Sequence, residues 1–89
     1  MTTFLIRFYK SFSMNEAYVL LNIDYKKQKE IIEKAKKIPA VKAVKTIYGI
    51  YNILIIFESD DMQKIKQAID EDLHNLDGIT NITSLITID

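Results

Sequence analysis

The stretch Thr46-Ile47-Tyr48-Gly49-Ile50-Tyr51-Asn52-Ile53-Leu54-Ile55-Ile56-Phe57 decides the fold. It reads as strand, tight turn, strand. Gly49 is one of only two glycines in the chain, and it stands where the backbone must reverse. Glycine reaches positive φ without a Cβ clash, so it is the residue expected at such a turn. Ile53 to Phe57 is an unbroken apolar run rich in β-branched side chains. A strand with one face in water alternates apolar and polar residues. This one does not, so both its faces are expected to be covered.

Upstream, Ala17 to Ile23 reads as a first strand, with Ala17, Val19, Leu21 and Ile23 on one face and Tyr18, Leu20 and Asn22 on the other. Asp24 is placed to cap a helix. Between Lys26 and Lys37 the apolar positions Ile31, Ile32 and Ala35, continued by Ile38, form one stripe on a 3.6-residue period. Pro39 ends that helix, and Val41 to Tyr48 forms the second strand. Downstream of the third strand, Ser59-Asp60-Asp61 opens a second helix, with acids at its positive end. Asp60 followed by Gln63 reads as a capping box. Met62, Ile65, Ile69, Leu73 and Leu76 make its buried stripe, Gly78 supplies the exit turn, and Ile79 to Ile88 is the last strand.

The order is β-α-β-β-α-β. The two halves also echo each other: Ile38-Pro39-Ala40-Val41 and Leu76-Asp77-Gly78-Ile79 each leave a helix and start a strand. Two such units with right-handed crossovers predict an α+β, ferredoxin-like layer: four antiparallel strands with both helices on one face. The helices leave the sheet's other face, carrying Leu20, part of Ile53–Phe57 and Leu85, without cover. An apolar patch of several hundred Å² is unusual on a monomer. At ~25 cal/mol per Å², burying it is worth on the order of 10 kcal/mol before association costs. The expectation is a homodimer with two sheets packed face to face.

Eighty-nine residues bound the chain to a single core. The formal net charge is zero, which argues against direct nucleic-acid binding. With no cysteine, disulfides and thiolate metal sites are excluded, and nothing suggests export, so a cytoplasmic setting is expected. No apolar run approaches the ~20 residues of a membrane helix. Residues 1–16 read as an N-terminal extension and 17–89 as the domain. Phe4, Leu5, Ile6, Phe8, Tyr9 and Phe12 in that extension fit three readings. They belong to a mobile tail, to an edge strand or subunit contact, or to a segment upstream of a start at Met14.

The strand "AYVLLNID", the helix after it, "IPAVKAV", "YGIYN", the helix start "SDDM" and the closing "GITNITSLITI" together resemble the effector-binding domain of the Lrp/AsnC transcription regulators. The resemblance runs from about Glu16 to Asp89. It implies dimers that assemble further, often as rings of dimers, and small effectors, usually amino acids, bound between dimers. The family's effector positions, matched onto this chain, are Thr46, Tyr48, Gly49, Tyr51, Asn52, Met62, Ser84, Leu85 and Ile86. Full-length regulators carry an N-terminal helix-turn-helix, which residues 1–16 are too few to hold. The expectation is a stand-alone module, without cofactor, that acts on full-length regulators by mixed assembly or by sequestering ligand. In the family's usual turn, Thr-Gly-x-aromatic-Asp, the Asp is able to pair with an α-ammonium group. Asn52 keeps an acceptor there but lacks the charge, and Tyr48 is larger than Thr.

Plainer readings stand beside these. Gly49 and Asn52 are ordinary turn chemistry, and Tyr48 and Tyr51 suit an interface. Met62 fits a core stripe, and Ser84 a polar strand face. The lysines of the first helix suit a solvated face, because Glu30 and Glu33 are interleaved. For catalysis the residues offer little. His74 is the lone histidine and Arg7 the lone arginine, so neither a triad nor an anion cradle is visible. The alternative is a dimeric α/β-barrel protein, monooxygenase-like or structural, with its pocket inside one subunit.

Overall fold

The computed structural model describes residues 15–87. The expectations for the N-terminal extension therefore lie outside the described residues, apart from Asn15 and Glu16. The elements run β1 (Asn15–Ile23), a 3₁₀ turn (Tyr25–Lys27) leading into α1 (Gln28–Ala35), β2 (Val41–Thr46), β3 (Ile53–Ser59), α2 (Met62–Gln67) continued by a π-helical segment (Ala68–Leu73), and β4 (Ile79–Thr87). The strands form one antiparallel sheet in the order β2-β3-β1-β4. This is the expected βαββαβ layer.

Alternation across the sheet decides where the core sits. Ala17, Val19 and Leu21 of β1 and Ile53, Ile55 and Phe57 of β3 are wholly buried. They pack against Ile31 and Ala35 of α1, Ile65 of α2, and Ala68, Ile69 and Leu73 beyond it. The alternate residues Tyr18, Leu20, Leu54 and Ile56 are only half-buried. The run Ile53–Phe57 thus has one face sealed by the helices and the other partly open. In register, Ala43, Ile56, Tyr18 and Leu85 form one row across that open face, and Lys45, Leu54, Leu20 and Thr83 form the next. Leu85 remains 57% exposed. Charges collect beside the first row. Lys42 lies 3.5 Å from Glu58 and 4.0 Å from Glu16. The Tyr18 hydroxyl donates to Glu16 at 3.0 Å, and this bond to a carboxylate raises its pKa above the ordinary phenol value.

The helix ends refine the expectation. Asp24 caps as foreseen, its carboxylate accepting from Lys26 N–H at 3.0 Å, but the turn it opens is 3₁₀. The second helix is capped by Asp61, not Asp60: Asp61 accepts from Gln63 N–H at 2.9 Å, and Ser59 Oγ accepts from Asp61 N–H at 3.1 Å. A chain of two side-chain caps therefore replaces the capping box, with Asp60 left at the bend. Asp61→Ala should cost about 1 kcal/mol, read as a lowered urea midpoint with unchanged slope. Beyond Gln67 the winding widens to π. Asp70, Glu71 and Asp72 fall in that segment, where like charges oppose the negative helix end and give a regular turn no support.

Candidate functional site

The β2–β3 connection is wider than a tight hairpin turn. β2 ends at Thr46, so Ile47 and Tyr48, expected in the strand, belong to the loop. Ile47 N–H closes the loop on the Asn52 carbonyl at 2.9 Å. Gly49 has φ +125°, as its turn role requires, and a Cβ built there would touch nothing within 4 Å. The tip is exposed: Tyr48 projects fully into solvent, and Ile50 is 84% exposed. The base is anchored. Asn52 N–H donates to the Leu21 carbonyl at 2.9 Å, and its side-chain oxygen accepts from Ile23 N–H at 3.1 Å. Its amide donates to the Tyr25 hydroxyl at 3.2 Å. The Tyr51 hydroxyl meets Thr83 Oγ1 at 2.9 Å, so this side chain spans β1 to reach β4. Asn52 and Tyr51 tie the loop to the sheet while Tyr48, Gly49 and Ile50 stand free.

The remaining positions inferred from the resemblance lie elsewhere. Leu21 pairs with Ile53 at the loop end of the sheet, and Asn15 pairs with Ser59 at the opposite end. Met62, three residues beyond Ser59, therefore sits one sheet length from the loop, roughly 20 Å. It is half-buried against the core. Ser84, opposite Val19, is exposed; Leu85 is opposite Tyr18 and Ile86 opposite Ala17, partway along the edge strand. Within one chain, then, Met62 stands a sheet length from the loop group of Thr46, Tyr48, Gly49, Tyr51 and Asn52, while Ser84, Leu85 and Ile86 follow directly on Thr83, the β4 residue that Tyr51 reaches.

Two features were not anticipated. Tyr25, 71% exposed, completes the Asn52 anchor. Its partner is 27 residues away, a pairing no local pattern signals. A groove of about 350 Å³ also runs between the end of the second helix and β4, lined by Leu73, His74, Leu76 and Ile79–Ile82. Among the described residues no group of His, Cys, Asp or Glu is arranged to hold a metal. No helix among them is long and apolar enough to cross a membrane.

The sequence model described as "Lrp/AsnC ligand binding domain" matches residues 16–89. Among solved structures, the chain is similar to FFRP-DM1, at 27% identity and TM-score 0.75 over 83% of this chain and 99% of that one. It is similar to the hypothetical protein PHS023 from Pyrococcus horikoshii, at 27% identity and TM-score 0.75 over 83% of this chain and 89% of that one. It also shares its fold with a transcriptional regulator of Neisseria meningitidis solved as a complex with L-Met, at 16% identity and TM-score 0.72. That match covers 84% of this chain and 50% of the regulator. No curated protein sequence matches.

Proposed function

We propose, from the premise that this chain belongs to the Lrp/AsnC ligand binding domain family, that it binds a small amino-acid-like effector between subunits and acts by assembly rather than catalysis. Residues 17–89 are the effector domain and 1–16 an extension of it. Two sheets pair through the open face, and further copies, or full-length regulators, join at the loop end. Mixed assembly with such regulators is the route to transcription.

The observation that supports this most is the separation of the candidate residues. An effector a few ångströms across cannot touch both the Tyr48–Asn52 loop and Met62 of one chain, because a sheet length lies between them. A site built from the loop group and Met62 together needs more than one subunit. The alternative, a pocket between helices and sheet, finds that space filled by Val19, Leu21, Ile55, Phe57, Ile65 and Leu73, all wholly buried. The L-Met complex of the Neisseria regulator supports an amino-acid-like ligand.

The loop geometry gives the direct test. Asn52→Asp keeps the acceptor for Ile23 N–H, and the Tyr25 hydroxyl can turn to donate to the new carboxylate. The substitution adds charge without dismantling the anchor. Calorimetry against the twenty amino acids should give at least tenfold tighter binding to Asn52→Asp than to the natural chain for any α-ammonium ligand. No heat from either protein with any of the twenty would reject the amino-acid reading.

A further inference from the structure

The two edges of the sheet are defended differently. β2, on one side, carries the exposed charges Lys42 and Lys45, and an edge with lysines resists pairing with a further strand. β4, on the other, runs nine residues from Ile79 to Thr87 with no charge, no proline and no glycine. Among the described residues it is bonded along one side only, to β1. A long uncharged edge of this kind takes a further strand unless something covers it. Its core side is also incompletely roofed. Ile82 and Ser84 stand opposite the wholly buried Leu21 and Val19, so both point toward the helices. Yet Ile82 is only half-buried, and Ser84 is exposed. The helix layer stops short of this strand. The groove of about 350 Å³ between Leu73, His74 and Leu76 and the start of β4 is the gap it leaves.

The chain that precedes β1 has the position, the length and the side chains to fill that gap. Fourteen residues stand before Asn15. Glu16 lies opposite Thr87, so β1 begins at the end of the sheet where β4 finishes. The place outside β4 is two strand spacings from β1, about 10 Å. At roughly 3.3 Å per residue, about four or five residues cross it, and about nine remain to lie along β4. Within them Phe4-Leu5-Ile6-Arg7-Phe8-Tyr9 is rich in strand-forming side chains. Its even positions, Phe4, Ile6 and Phe8, are wholly apolar, and its odd positions include Arg7. We propose that residues 4–9 add a fifth strand to the free edge of β4 in the same chain, with Phe4, Ile6 and Phe8 turned toward the gap beside the helices. The strand runs parallel to β4, because it must finish where β1 begins. Its aromatic side chains leave water, and the edge is closed to other chains. The inference stands apart from the effector reading, since it needs neither ligand nor sheet-to-sheet pairing.

Disulfide trapping in the full chain tests it. The chain has no cysteine, so an introduced pair reports without background. The best of Phe4→Cys, Ile6→Cys and Phe8→Cys should close a bond with Ser84→Cys inside one chain, at no less than tenfold the yield of Leu5→Cys or Arg7→Cys. Hydrogen exchange gives a second readout. Residues 4–9 and the β4 amides that β1 does not take should be protected together. Ile6→Asp with Phe8→Asp should speed exchange of both at least tenfold and leave the amides of β3 unchanged. Ile6→Val with Phe8→Leu should leave all of them protected. Yields that do not favour the even positions, a bond formed only between two chains, or residues 4–9 exchanging at the rate of an unstructured chain overturns the proposal.

Discussion

Leu54→Arg is expected to leave the proposed sheet-to-sheet dimer a monomer at micromolar concentration. Leu54 lies on β3, one of the two central strands, and in register it faces Leu20 on one side and Lys45 on the other. It is half-buried in the single chain, while Ile53 and Ile55 beside it are wholly buried toward the helices. An arginine at position 54 leaves that core untouched and can extend into water in the monomer. In a face-to-face pair it has no water and no acid within its own row, because the acids Glu16 and Glu58 stand at the far end of the face, around Lys42. Stranding one charge in a buried interface costs about 3–5 kcal/mol. That is a rise in dissociation constant of roughly a hundredfold or more, and the substitution comes twice in a symmetric pair. Equilibrium sedimentation at matched ionic strength measures it. A Leu54→Arg protein that sediments as the natural one does would show that the open face is not the pairing surface.

The open apolar face itself was visible in the residue order, for a simple reason. Burial has a period of two on a strand, so an unbroken run such as Ile53–Phe57 announces two apolar faces. Two helices can cover only one of them. The α1 stripe, the Gly49 turn and the echo between Ile38–Val41 and Leu76–Ile79 were legible on the same ground, as short-range patterns. What stayed hidden depends on long-range contacts. The Asn52–Tyr25 bond joins a loop to the first turn of a helix across the end of the sheet. The shift of the cap from Asp60 to Asp61 follows from how far β3 runs, to Ser59, and that is set by pairing with β1. The separation of Met62 from Tyr48 is invisible in a list of matched positions and obvious once β3 has a direction.

The echo between the halves carries the second large effect. Ala40 and Gly78 leave their helices at the same point, and both have positive φ, +73° and +100°. Their carbonyls do the same work: Ala40 O accepts from Glu58 N–H at 2.8 Å, and Gly78 O accepts from Asp24 N–H at 2.8 Å. The surroundings differ. A Cβ on Gly78 would come within 2.8 Å of Lys27 Cβ and Cγ and 3.2 Å of Ile31 Cδ1. The Lys27 Cβ cannot retreat, because the backbone of the 3₁₀ turn fixes it; farther out, the exposed ammonium pairs with Asp77 at 2.7 Å. That bond lowers the pKa of the Asp77 carboxyl and raises that of the Lys27 ammonium, so both stay charged near neutrality. Gly78→Ala therefore combines backbone strain of ~1–2 kcal/mol with overpacking of similar size, about 3 kcal/mol together. For a domain of this size that is a fall in Tm of roughly 15 °C. Gly49→Ala carries only the strain, since its Cβ would meet open space, and should lose about half as much. Ala40→Gly should gain up to ~1 kcal/mol by relieving a left-handed alanine, offset in part by the greater freedom of glycine in the unfolded chain. Thermal melts at one protein concentration, which holds any subunit contribution fixed, rank the three. If Gly78→Ala melted level with Gly49→Ala, the Lys27 stem would have yielded, and strain alone would govern both exits from the helices.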